Sequence, residues 1–140
     1  MNTKPIRWCA WLMAGLLLQA CASSQQSQSL DATLTRYEAV IRWSEWDAAL
    51  DFLAPEYVAQ NPVTQLDIDR LRLFRVTHYQ VRSVITAADG LSVQQAVEIR
   101  MVNRNRATEQ TLIDRQQWRY NPEYERWFLH SGLPDVTKAR

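Results

Sequence analysis

The chain has 140 residues, with 16 Lys+Arg against 15 Asp+Glu, a formal net charge of +1. That length suits one domain of ordinary size. The near balance of charge excludes the basic excess of a nucleic-acid binder. No internal repeat is visible, and Gly90 and Gly132 stand isolated, so no Gly-rich loop is present to cradle a phosphate.

Lys4 and Arg7 precede an apolar run from Trp8 to Leu18. A basic start followed by an apolar stretch of this length has the form of a secretory signal. The run is shorter than the roughly 20 residues that a stable membrane span needs. It is followed at once by polar sequence, so it reads as a processed signal over residues 1–20.

Leu18-Gln19-Ala20-Cys21 resembles the lipobox of bacterial lipoproteins, with an aliphatic residue three before the cysteine and a small one just before it. Gln19 departs from that pattern, which usually has a small residue there. The resemblance implies a diacylglycerol on the Cys21 sulfur and cleavage before Cys21. It also implies a partner, the lipid bilayer, held through the acylated cysteine. Ala22 stands where an inner-membrane retention signal usually has Asp, which by the same resemblance implies the outer membrane, facing the periplasm. Ala20-Cys21-Ala22 also matches the small-x-small pattern of ordinary signal peptidase, which would leave a free secreted chain starting at Ser23. Residues 22–29 are small, polar and uncharged, a composition that stays flexible and suits a tether.

Removing Lys4 and Arg7 leaves 14 cations against 15 acids, a net charge of about −1, and Lys138 as the one lysine. Of the two cysteines, Cys9 leaves with the signal and Cys21 is capped by lipid. The mature domain, residues 30–140, then lacks a disulfide, a thiol nucleophile and a thiolate metal site. Its cohesion must come from its core. Arginine packs on aromatics and pairs with carboxylates in a planar fork, so some arginines are expected on a sheet face.

Leu30, Leu34, Tyr37, Val40 and Ile41 recur at helical spacing, predicting an amphipathic helix over Leu30–Trp43. Ser44-Glu45-Trp46-Asp47 has the form of an N-cap. It predicts a second helix with Trp46, Ala49, Leu50 and Leu53 on its apolar face. Pro55–Pro62 reads as loop or short turn, and Asp67–Leu73 as a short helix. Four strands follow. Phe74–Ala87 slips phase around Tyr79, predicting a bulge, and Asp89-Gly90 is a hairpin turn. Leu91–Arg104 puts Leu91, Val93, Val97, Ile99 and Met101 on one face. Asn103–Arg106 turns, Thr108–Tyr120 is a long strand, Asn121–Tyr124 turns again, and Arg126–His130 closes. The expected fold class is α+β, with two N-terminal helices packed on a curved antiparallel sheet of about four strands.

Two segments carry a second resemblance. Ile41–Leu53 is similar to the paired N-terminal helices, and Trp118–Leu129 to the closing aromatic hairpin, of the NTF2-like (cystatin-like α+β cone) superfamily. Enzymes of that kind place acids, a His or a Tyr inside the cone, where a carboxylate takes a proton and a phenol stabilises an oxyanion. The residues here that could serve a pocket or partner surface are Tyr37, Trp46, Tyr57, His78, Asp114 and Trp118. Their spacing matches no specific dyad. His78 fits a surface or half-buried position, and Asp114 fits a structural pair with a cross-strand arginine. Two distant histidines make no zinc site, no nucleophile elbow is present, and no cofactor is expected. Trp43, Trp46, Trp118 and Trp127, with Tyr37, Tyr57, Tyr120 and Tyr124, are dense for so small a domain. Most are expected in the core, with some left for a pocket or partner surface. The expected function is a non-catalytic, membrane-anchored module of the cell envelope that binds a protein or envelope component. A small-molecule carrier with an apolar cone pocket is the alternative, and an isomerase- or dehydratase-like enzyme stands behind it.

Overall fold

The computed structural model describes residues 7–140, with side chains from residue 25 onward. The first six residues of the expected signal, and the side chains of the signal and of the lipobox Leu18–Cys21, lie outside the described residues. Helix α1 spans Arg7–Arg42. Its core-facing stripe is Leu30, Leu34, Tyr37 and Ile41, of which Tyr37 and Ile41 are fully buried. The stripe matches the expected one, but the helix extends back well before Leu30, through the segment expected to be a flexible tether. Trp127 Nε1 donates to the Gln26 carbonyl at 3.3 Å, fixing that extension against the last hairpin.

Ser44 does not cap a helix. It sits at φ +58°, and Glu45 takes the N-cap position without a side-chain bond. The Ser44 hydroxyl instead accepts from Val76 N–H at 3.0 Å, tying the helical layer to the sheet. Helix α2, Trp46–Ala49, is a single turn that tightens into a 3-10 turn at Leu50–Phe52. Where a loop was expected, helix α3 forms over Pro55–Gln60, started by Pro55 at its first turn. A proline is favoured there because its missing N–H has no helical partner to lose. Helix α4, Gln65–Arg72, carries a complete Thr64/Asp67 capping box. Four short or long helices thus stand where the sequence predicts two and a short third.

Strands β1 (Phe74–Thr86), β2 (Ser92–Asn103), β3 (Glu109–Asn121) and β4 (Arg126–Leu129) form one antiparallel sheet in the order β1-β2-β3-β4. The phase slip around Tyr79 is real. Register shifts fall on either side of it, between Val76 and His78 and between Val81 and Ser83. The turns also follow the sequence. Asp89 Oδ1 accepts from Leu91 N–H, Asn103 Oδ1 from Asn105 and Arg106 N–H, and Asn121 Oδ1 from Glu123 and Tyr124 N–H. These side chains mimic a backbone turn. Strand β4 is short, and the C-terminal Arg140 pairs both ways with Thr111 farther along β3.

The helices cover one face. On it lie Val93, Val97, Ile99 and Met101 of β2, Leu112 and Trp118 of β3, and Trp127 and Leu129 of β4. Tyr37 meets both Phe52 and Trp118 edge-to-face, with ring centroids 5.2 and 5.1 Å away. Such pairs contribute about 0.5–1.5 kcal/mol each beyond the area they bury. The outer face is polar. Arg82 and Arg100 both grip Glu98 there, and Arg82 above all holds the Glu98 carboxyl below the ordinary range. Among the described residues, no helix is long and apolar enough to cross a membrane.

Ser44→Ala should leave the part-buried Val76 N–H unpaired and cost about 1–3 kcal/mol, read as a lowered denaturant midpoint with an unchanged slope.

Candidate functional site

The alternation of β3 turns Asp114, Gln116 and Trp118 to the helix-covered face, opposite Val97, Gln95 and Val93 of β2. All six are buried. Two glutamines and an aspartate in an apolar layer must find partners, and they find one another. Gln116 Nε2 donates to Asp114 Oδ2 at 2.8 Å and to the Tyr79 hydroxyl at 3.2 Å. Gln116 Oε1 accepts from Gln95 Nε2 at 2.6 Å and from Trp118 Nε1 at 3.1 Å. Gln116 is therefore a four-bonded hub.

Asp114 bonds Gln116 across the pleat and pairs with no arginine, contrary to the expectation of a cross-strand ion pair. Burial pushes its carboxyl up from 3.8 to about 6, and the Gln116 bond only partly offsets this. Burial and the neighbouring Asp114 raise the Tyr37 phenol far above its usual value. Among the described residues the Tyr37 hydroxyl has no hydrogen-bond partner, and neither has Trp46 Nε1. Tyr79 is likewise raised by burial.

The six candidate residues divide among three places. Tyr37, Asp114 and Trp118 come together inside, with Tyr37 and Trp118 in ring contact. Trp46 is buried in the same core. Tyr57 lies on α3, in a groove of about 490 Å³ between α3, α4 and the C-terminal segment. Its hydroxyl fits over Gly132, where a Cβ would lie 2.4 Å away, and φ is +81°. His78 pairs with Arg100 on the outer face, half-buried, with Nε2 3.4 Å from Gln80 Oε1. Asp114 and His78 thus point to opposite faces of the sheet and cannot act on one reacting atom. Among the described residues no three His, Cys, Asp or Glu side chains gather as a metal site would require.

The remaining concave places open at the surface. One hollow of about 290 Å³ lies against the sheet, with Ser83, Gln94, Ala96, Arg115 and Gln117 around it. Another, of about 520 Å³, lies between α1 and α2 beside Arg36, Asp51 and Arg126. Sequence reasoning missed Gln95 and Gln116, because a glutamine in an alternating strand is indistinguishable from a solvated one until its neighbours are known. It also placed Trp43 among eight aromatics expected mostly in the core. Trp43 is 79% exposed, while Trp46, Trp118 and Trp127 are buried.

No family model, curated protein or solved structure matches the chain. Its functional reading therefore rests on its own geometry.

Two outcomes test the buried cluster. An unfolded Asp114 ionises near 3.8 and the folded one near 6. The fold therefore carries no penalty below the lower value, loses stability as pH rises between the two, and bears the full penalty above the higher. That penalty is about 3 kcal/mol at 1.36 kcal/mol per unit. Asp114→Asn keeps an acceptor for Gln116 and cannot ionise. It should raise stability at pH 7–8 by up to that amount and leave it nearly unchanged at pH 4, measured by urea denaturation across the range. Tyr37→Phe removes an unpartnered hydroxyl and keeps both ring contacts. It should be neutral or stabilising by up to about 1 kcal/mol; a large loss in thermal melting would show that the hydroxyl is bonded.

Proposed function

We propose that this chain is a bacterial lipoprotein, acylated on Cys21, whose α+β domain is a non-catalytic binding module of the cell envelope. We read the domain as an NTF2-like cone, supported by the two bulges in β1, which bend a long strand, and by helices confined to one sheet face. Outer-membrane placement follows from Ala22 after the cysteine, as in the lipoprotein sorting rule.

The observation that carries the binding reading is Trp43. Among the described residues it is the most exposed large apolar side chain, yet its backbone is not loose. Trp43 N–H donates to Ala39 O, Ser44 N–H to Ile41 O, and the Ser44 hydroxyl holds Val76 N–H. A rigidly presented, exposed tryptophan costs apolar hydration and contributes nothing to the core. Tryptophan is also the residue most enriched where one protein anchors on another. Trp43 stands at the end of α1 remote from Cys21, where a tethered module faces away from its membrane. Two further observations weigh against the alternatives. The inner face where a carrier would open its cavity is filled by Tyr37, Phe52 and Trp118 in mutual ring contact. The acid and the histidine that an isomerase would pair are on opposite faces.

Intact mass on the membrane fraction tests the anchor. Wild type should carry acyl mass that Cys21→Ser lacks; a mature chain starting at Ser23 without lipid overturns it. The binding reading predicts that Trp43→Ala changes stability by no more than about 0.5 kcal/mol, as for an exposed side chain. A photo-crosslinking residue at position 43 should give a discrete envelope-protein adduct that the same residue at exposed Gln60 does not. No adduct at position 43 in intact cells counts against an envelope-protein partner on this face.

A further inference from the structure

We infer that the domain does not hang free on its lipid but rests on the bilayer through the tips of its two hairpins, β1–β2 and β3–β4, with Val84, Ile85, Leu91 and Tyr124 at the headgroup level. This rests on acylation of Cys21.

The placement follows from a chain of contacts at one end of the molecule. Helix α1 comes down from the direction of Cys21, and at Gln26 its carbonyl receives Trp127 Nε1. Trp127 packs edge-to-face on Tyr120, 5.6 Å between centroids, and Tyr120 N–H donates to the Leu91 carbonyl at the base of the first hairpin. Gln26 lies only five positions after Cys21, about 7.5 Å along a helix. An acylated Cys21 therefore holds these two hairpin ends close to the lipid.

Those ends carry the three most exposed apolar side chains of the sheet and its hairpins, Ile85, Tyr124 and Val84, while Ile113 and Val81 are exposed nearer its middle. Ile85 is 67% exposed, Tyr124 56%, Val84 53% and Leu91 40%. Val84 and Ile85 lie on opposite faces of β1, opposite Gln95 and Gln94, so no single layer of protein would cover both. A surface met by the sheet's end would. Pairing of the free β1 edge with a second copy could hide Val84 and Ile85, but it leaves Tyr124 exposed, because Tyr124 belongs to the turn between β3 and β4. A bilayer covers all four at once. Tyrosine with its polar tip suits the interface. Arg119 and Arg126 flank the tips, and the carboxylates of Asp89, Glu123 and Glu125 sit among them. The contact is therefore shallow and apolar, and charge attraction is not its source. A lipid anchor supplies the affinity, and the tips fix orientation, the two-signal arrangement of peripheral attachment.

The test uses the full-length lipidated protein in vesicles of phosphatidylethanolamine and phosphatidylglycerol that carry a nitroxide on the upper acyl chain. With Cys21 thioether-linked, a cysteine introduced at the surface is the only thiol a polarity-sensitive maleimide dye can label. Dyes at Ile85→Cys and Tyr124→Cys should shift to the blue and lose most of their emission to the nitroxide. Dyes at Asn105→Cys, in the turn at the far end, and at Leu66→Cys on α4 should do neither. Intact mass of the same samples separates the two levels of failure. An acylated protein whose hairpin dyes behave like the Asn105→Cys dye overturns the resting orientation and leaves the lipoprotein reading in place. A chain without acyl mass overturns both.

Discussion

The seating of α1 on the inner sheet face, Tyr37 and Ile41 against Trp118 and its neighbours, is the constraint from which the rest of the structure follows. A four-stranded sheet with one free face has to bury that face against something, and among the described residues only α1 is long enough to do it. The later helices are single turns or little more and could not fold alone. They serve as lids and struts around α1, tied in by the Ser44 hydroxyl on Val76 and by the Leu53–Leu129 bridge. The aromatic contacts concentrate where α1 crosses β3, because large rings fill the space between a cylinder and a twisted sheet most completely.

Inside that apolar layer lies a polar hub that costs stability by its nature. Gln116 satisfies four neighbours, yet Asp114 remains a carboxyl held near neutrality by burial, and Tyr37 and Trp46 each bury an unpartnered polar atom. Replacement of such a group by an apolar one of the same shape is often neutral or better. A buried network of this kind fixes one register: sliding β3 by a single residue would turn Gln116 outward and leave Gln95 without its partner. That is a physical reason for a small, disulfide-free domain to carry it.

Much of this was legible in the sequence where local chemistry decides structure. The Leu30–Ile41 stripe, the Asp89-Gly90, Asn103 and Asn121 turns and the slip around Tyr79 all appear where the residues place them, because period and turn chemistry act over a few residues. Ser44 was not legible. Its pattern with Asp47 is that of a cap, but its hydroxyl bonds a backbone amide 32 positions away, which no local rule can weigh. Residues 22–29 of the helix carry no apolar stripe, and such a polar run betrays neither the helix it belongs to nor the indole that meets it at Gln26. Pro55 hid α3 because a proline that stops one helix also starts the next. Of the candidate site, Tyr37 was legible in the apolar stripe of its helix, while the burial of Asp114 beside Gln116, in place of the expected arginine pair, was not. The glutamines that bind them together carry no mark of burial.

Exposure of apolar surface then acquires direction. Trp43 stands at one end of α1 and the hairpin tips at the other, and the shaft between them is rigid: a helix bonded at Gln26 to the last hairpin and through Ser44 to the first strand. A tether of flexible chain would let the domain tumble and would average such a polarity away. A helix continuous from Arg7 to Arg42 would not. That stiffness makes the two ends physically distinct, and under the proposed acylation of Cys21 one would be held against the bilayer and the other presented to the space beyond it. The distance between them is about 24 Å, a rise of 1.5 Å at each of 16 steps from Gln26 to Arg42, and under the same proposal it would set how far from the membrane surface a partner meets Trp43.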